Sequence, residues 1–144
     1  MTILGIAIIV FLVLESLNIL MLYFTPGSKM GNGVGVFNAY EESKKNPRIH
    51  SLVSYLVNWV AGTKLIFVGL LLVILFTGSE QTQLFAVIAL ILSILSFFWR
   101  LFPTIKRMDK EGELSPKGYS KTLGIMIGSF VAGFSVALLL FLIL

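Results

Sequence analysis

The sequence predicts an all-α integral membrane protein, a bundle of four transmembrane helices forming a single membrane domain. Four apolar stretches reach the length of about 20 residues that a helix needs to cross a hydrocarbon layer of roughly 30 Å. Of the 144 residues, 57% are hydrophobic and only 12% are charged, a balance that a soluble domain of this size does not reach. The predicted helices cover residues 2–24, 49–76, 84–102 and 122–144.

The connections between these helices carry most of the charge. The connections 25–48 and 103–121 hold nearly all Lys and Arg residues, whereas the short connection 77–83 has Glu80 as its only ionisable residue. Since cytoplasmic loops collect Lys and Arg, the two longer connections are predicted to be cytoplasmic and both termini to lie outside. The net charge of +4 then follows from topology, so no nucleic-acid partner is expected. The expected location is a bacterial plasma membrane.

The two halves of the chain resemble each other in an ordered series of short matches. The matching segments are 17–20 with 92–95, 46–48 with 115–117, and 58–62 with 129–133. In the second match a capping residue precedes Pro47 or Pro116, which suits the first turn of a helix. The series predicts two duplicated helical hairpins of like orientation, related by an axis along the membrane normal. The alternative is that apolar sequences match one another by chance.

Two ionisable residues lie well inside the predicted helices. Glu15 is near the middle of the first and Lys64 near the middle of the second, each more than about two turns from either end. A charge at the bilayer centre is costly, so such residues usually face the bundle interior and pair with one another. We therefore predict an ion pair, with Asn18 and Asn58 extending it into a buried polar core that is a possible ion or substrate site.

Three interpretations of the Glu15 and Lys64 residues are open from sequence alone. The pair can neutralise itself and hold two helices in register. It can instead bind a substrate or relay a proton. In the third interpretation the two never meet, because Lys64 reaches towards the interface and Glu15 is protonated. The matching positions in the second half, Leu90 and Ser135, are uncharged, which favours a function located in the difference between the halves.

Small and polar residues form stripes that are predicted to face other helices. The stripe on the second helix comprises His50, Ser51, Ser54, Asn58, Ala61 and Lys64, and that on the third comprises Ala86, Ala89, Ser93, Ser96 and Arg100. On the fourth helix, Gly124, Gly128 and Ala132 are spaced four apart, the pattern that lets helix backbones approach closely. Their neighbour is either another helix of the bundle, which we favour, or a second copy in a homo-oligomer.

The connections are predicted to be irregular apart from one short helix. Residues 31–35 are glycine-rich, but no strand precedes them and no Gly-Lys-Ser/Thr follows, so a flexible linker is favoured over a phosphate-binding loop. Residues 36–45 are predicted to form a helix at the membrane surface. The later connection is predicted to be a solvated turn that ends where Ser115 and Pro116 begin the fourth helix.

Metal, cofactor and catalytic residues are not expected. The chain has no cysteine and one histidine, so thiolate chemistry is excluded. The acidic run of Asp109, Glu111 and Glu113 is interrupted by Lys110, which is typical of a solvated charge mixture more than of a divalent-cation site.

The favoured hypothesis is a non-enzymatic membrane protein organised around the polar core. It would act as an accessory subunit of a larger membrane complex or as a small transporter or channel-like module. The alternative is a membrane-embedded enzyme acting on a lipid or amphiphile, with Arg48, His50 and Arg100 as contacts at the cytoplasmic headgroup level.

The sequence resembles the membrane-associated eicosanoid and glutathione metabolism enzymes in its length, in its four predicted helices and in the predicted location of both termini outside. That family carries an Arg, Asn and Glu set at the start of its second helix. Here Arg48, His50 and Asn58 have no Glu beside them on that helix, so the sequence is not assigned to the family.

Overall fold

Six α-helices make up most of residues 2–144, the part of the chain that the computed structural model describes. They are α1 (Ile3–Phe24), α2 (Asn38–Ser43), α3 (Pro47–Thr77), α4 (Glu80–Leu95), α5 (Phe97–Lys110) and α6 (Tyr119–Ile143). A 3-10 turn, Val34–Val36, precedes α2. Four helical stretches are long and apolar enough to cross a membrane: α1, α3, α4 with α5, and α6. The predicted class, a helical membrane protein with four long apolar helices, is confirmed at this level.

Polar side chains define where the first three long helices begin. Thr2 Oγ1 accepts a hydrogen bond from Gly5 N, and Ser79 Oγ accepts one from Thr82 N. Asn46 Oδ1 accepts from the backbone N–H groups of the residues that follow Pro47, the first residue of α3. Each cap satisfies N–H groups that have no partner within the helix. Because the caps precede the apolar residues, α3 and α4 begin earlier than the apolar stretches at 49 and 84.

The third long helix extends beyond its apolar stretch. It breaks at Ser96, whose hydroxyl donates to the Ser93 carbonyl oxygen, and then continues as α5 past Pro103 to Lys110. The predicted loop at 103–121 is therefore too long, since its first part is helical. The reason is tertiary, because Ile105 and Asp109 on α5 are buried against the start of α6.

The prediction that Ser115 and Pro116 begin the fourth helix is wrong. The helix α6 begins at Tyr119, after Gly118 in the left-handed region at φ 86°. Its first N–H groups are capped from α5, because the Asp109 carboxylate accepts from Gly118 N at 2.8 Å and Ser120 N at 2.9 Å. One of the three matches between the halves therefore has no structural counterpart.

The long helices pack with α1 at the centre, in contact with α3, α4 and α6. Around α1 lies the main apolar core, in which the Phe11 ring contacts Phe67, Phe130 and Phe134 edge to face. A second cluster lies where α5 and α6 meet the two long connections, and includes Val36 and Leu114. Large apolar side chains cover the outer surface, as expected for helices that face lipid.

Two predicted small-residue stripes do not form helix contacts along their length. On α4 and α5 the predicted stripe is mostly exposed, and the buried residues of α4 are instead Gln83, Val87 and Leu90. Bulkier side chains make more interior contacts than small ones, which explains this rotation. On α6 only Gly124 makes a close approach, since a Cβ there would meet the Phe102 ring of α5, whereas Gly128 has open space beside it.

Candidate functional site

The two charged residues inside the helices meet. Lys64 Nζ on α3 lies 2.6 Å from Glu15 Oε2 on α1 and donates a second hydrogen bond to Asn18 Oδ1 at 2.7 Å. Glu15 and Asn18 lie one turn apart on α1, so both reach the same ammonium group. The interpretation in which Glu15 and Lys64 stay apart is therefore wrong.

This polar cluster is not sealed inside the bundle. The Lys64 side chain is 23% exposed and the Glu15 side chain 17% exposed. Among residues 2–144, no fully shielded side-chain oxygen or nitrogen lacks a hydrogen-bond partner. Within residues 2–144, Glu15 Oε1 and the Asn18 amide nitrogen make no hydrogen bond, and neither atom is fully shielded. A carboxylate oxygen that can accept and an amide that can donate are thus free to contact another molecule.

A cavity of about 520 Å³ lies directly beside the cluster. Its size falls in the range of about 300–1,000 Å³ that is usual for small-molecule sites. The walls come from α1, α6, Lys64 of α3 and the loop after α1. Apart from the polar cluster the lining is mostly apolar and includes the methionines Met21, Met30 and Met126. A polar group beside a deformable apolar lining suits a molecule with both characters.

The loop after α1 covers one end of this cavity, and it is not the flexible linker that its glycines predict. Gly35 N donates to the Ser28 carbonyl oxygen, and a Cβ on Gly35 would collide with the carbonyl oxygen of Gly27. The glycines therefore allow close backbone contact within a tight turn. The Tyr119 hydroxyl of α6 donates to the Gly31 carbonyl oxygen at 2.7 Å and holds the turn in place.

The two long connections form one joined cap. Backbone hydrogen bonds run from Asn38 N to Glu113 O at 2.9 Å and from Ser115 N to Val36 O at 2.8 Å. The later connection is therefore partly packed and not simply a solvated turn.

The short helix α2 presents its charged residues to solvent. There Glu41 pairs with Lys44 at 2.7 Å on the exposed face, and its hydrogen bond raises the pKa of Lys44.

Asn58 does not join the polar core. It is exposed and lines a separate space of about 150 Å³ with Tyr23, Tyr40 and Ser54. Asn58 and Lys64 are six positions apart, and at about 100° per residue they point roughly 120° apart around α3. The prediction that Asn58 and Lys64 share one face of this helix is therefore wrong, because the rotation of the helix separates them.

The predicted headgroup contacts do not converge. His50 Nδ1 lies 3.0 Å from Ser43 Oγ of α2, while Arg100 on α5 lies over the Trp99 ring. Arg48 is exposed at the start of α3. In residues 2–144 no hydrogen bond or ion pair connects the three, and none of them lines the cavity beside Glu15. In the described part of the chain, Arg48, His50 and Arg100 therefore do not form one bonded group.

The acidic run near the end of α5 serves the fold. Both Asp109 oxygens accept hydrogen bonds at the start of α6, including one from the Ser120 hydroxyl at 2.6 Å. Glu111 and Glu113 are exposed. Across residues 2–144, no three His, Cys, Asp or Glu side chains come together as a metal site would require.

Sequence reasoning missed Tyr119 and the methionines as part of the site region. Met21 and Met126 carry no signal because they are ordinary residues of apolar helices, and nothing in the sequence distinguishes Met30 in the loop after α1. Tyr119, a polar aromatic residue beside a charged loop, was the one detectable signal. In comparisons with known proteins, no family model, no curated protein and no solved structure matches this chain.

Proposed function

We propose that this protein is a small, non-enzymatic membrane transport module that binds its solute at Glu15, Asn18 and Lys64. The observation that carries the proposal is that Glu15, Asn18 and Lys64 line a cavity of about 520 Å³, and that within residues 2–144 Glu15 and Asn18 each keep a polar atom without a hydrogen-bond partner. A pair whose only role is to hold helices together is expected to be closed off and fully bonded. Ionisable residues within membrane helices commonly mark solute pathways.

The proposed orientation follows from the basic residues. Both long connections would lie in the cytoplasm, with the Ser79 end of the bundle outside. The cap of joined loops supports this proposal, since it puts both connections at the same end of the bundle.

The pattern of contacts between the helices supports the proposed duplication into two hairpins. In the bundle, α1 packs on α3 as α4 packs on α6, and α3 contacts α4 as α1 contacts α6. Such paired contacts are expected for two hairpins related by an axis along the membrane normal.

The test is flux through vesicles containing the purified full chain. The assay compares movement of protons, sodium, potassium and fluorescent phospholipids with that in empty vesicles. Glu15→Gln is expected to lower the transported species' rate by roughly tenfold or more, because the acceptor charge is lost. Glu41→Gln is the matched control, since it breaks the exposed Lys44 pair outside the cavity.

Two results would overturn transport. One is flux no faster than in empty vesicles for every species. The other is an equal loss of flux in Glu15→Gln and Glu41→Gln. A cooperative unfolding transition of Glu15→Gln above the assay temperature, even if lowered, shows that a lost rate is not a lost fold.

Other predictions about its biology stay predictions. They are a role as an accessory subunit of a larger membrane complex, assembly as a homo-oligomer, and location in a bacterial plasma membrane. Cross-linking in native membranes, followed by mass measurement of the products, would test the first two.

A further inference from the structure

The polar cluster and the cavity beside it also restrict the chemistry of the solute. Glu15 and Lys64 carry opposite charges, so the site as a whole is neutral. Apolar surroundings strengthen charge interactions, and a ligand with a net charge would leave that charge without a full counterpart. The site therefore favours a ligand without net charge.

The free atoms define the polar part of such a ligand. Glu15 Oε1 can accept a hydrogen bond, so it calls for an N–H or O–H donor. Beside it, the Asn18 amide nitrogen and the remaining Lys64 N–H can donate, so they call for an acceptor such as a phosphate oxygen. A head group with an ammonium and an anionic oxygen meets both needs at once.

The rest of the cavity defines the apolar part. Its walls beyond the cluster are mostly hydrophobic, with Leu14, Met126, Ile127 and Phe130 among them. Unbranched methionine side chains adapt to varied shapes, which suits a flexible hydrocarbon chain. The large apolar side chains on the outer surface of the bundle, such as Leu17 and Ile125, face the same lipid phase that would supply the ligand.

We propose that the cavity binds a zwitterionic amphiphile of the aminophospholipid class, with its ammonium at Glu15 and its phosphate at Asn18 and Lys64. The proposal rests on the proposed function, because it names the solute class of the same site. It commits to a membrane lipid over a soluble zwitterion, since most of the cavity wall is apolar.

The experiment measures lipid binding by native mass spectrometry of the full chain released from detergent. The probes are phosphatidylethanolamine, phosphatidylcholine and phosphatidylglycerol with identical acyl chains. Phosphatidylethanolamine is expected to bind roughly tenfold or more tightly than the others. Phosphatidylcholine has no N–H donor for Glu15, and phosphatidylglycerol has a net charge. Free glycerophosphoethanolamine, which has the same zwitterionic phosphodiester head group without acyl chains, should bind far more weakly than the lipid in a thermal-shift assay.

Variants locate the binding. Asn18→Leu keeps the ion pair and should weaken phosphatidylethanolamine binding, and Ser129→Phe should fill the cavity without touching the charged residues. Ser93→Phe is the matched control, because Ser93 is exposed on α4 outside the cavity. It should bind the lipid as the original chain does.

Tighter binding of phosphatidylglycerol, equal binding of free glycerophosphoethanolamine, or unchanged binding in Ser129→Phe would each overturn the proposal. If ion flux depends on Glu15 but the protein binds the three lipids equally, the proposed ligand class is wrong and the proposed transport function is retained. No flux together with no lipid binding would remove both.

Discussion

Lys64 Nζ lies 2.6 Å from Glu15 Oε2, and this contact joins the middle of α3 to the middle of α1. Each residue is the other's only charged partner in the described part of the chain. Removing one therefore leaves an unpaired charge within the membrane, whereas removing both does not.

We expect Glu15→Gln and Lys64→Met to be coupled in stability. The double variant should be less destabilised than the sum of the single variants, by a coupling energy of about 0.5–3 kcal/mol. Unfolding of the purified protein by detergent titration measures each free energy. Additive effects would contradict a stabilising contact between Glu15 and Lys64. Glu41→Gln is the control at the exposed pair, and it should change the unfolding midpoint little.

Gly35 is expected to tolerate no side chain. In Gly35→Ala the new Cβ meets the Gly27 carbonyl oxygen, so the turn must open at about 1–3 kcal/mol. Gly128→Ala is the matched control, because nothing lies within contact distance of its Cβ position, and it should stay within about 0.5 kcal/mol of the original chain. The midpoints of thermal unfolding are compared for the two variants. If Gly35→Ala is as stable as Gly128→Ala, the turn at Gly35 is not tightly packed.

Asp109 is expected to hold the start of α6. Asp109→Asn replaces a carboxylate that accepts three hydrogen bonds with an amide that has one acceptor oxygen. Hydrogen exchange, measured by mass spectrometry on peptides spanning residues 115–123, should speed up in this variant. Glu111→Gln makes the same chemical change on an exposed neighbour and should leave exchange as it was. Unchanged hydrogen exchange in Asp109→Asn would show that Asp109 does not stabilise the start of α6.

The proposed orientation can be checked because the chain has no cysteine. Single variants Lys45→Cys, Lys117→Cys and Glu80→Cys place one thiol on an exposed position in each connection. A membrane-impermeant maleimide should label Glu80→Cys in intact cells, and the other two only after permeabilisation, because basic loops stay in the cytoplasm. Labelling of Lys45→Cys in intact cells would reverse the orientation.

The ion pair and the long helices were predictable from the sequence because the membrane leaves few choices. An apolar stretch that crosses lipid must satisfy its backbone hydrogen bonds internally, so it is a helix. A Glu and a Lys at similar depth have a much lower free energy as a pair than as two separate charges in the membrane. The sequence alone therefore predicts that Glu15 and Lys64 are partners.

Other features depend on contacts between distant parts of the chain, and only the tertiary structure decided them. Asn58 lies outside the polar core because it points away from Lys64 around the axis of α3. The start of α6 is set by Asp109 of α5, which overrides the local capping pattern at Ser115. The cavity beside Glu15 exists because α1, α6 and a tight glycine turn leave space between them. Sequence periodicity describes single helices, whereas the space between helices depends on their rotation and distance.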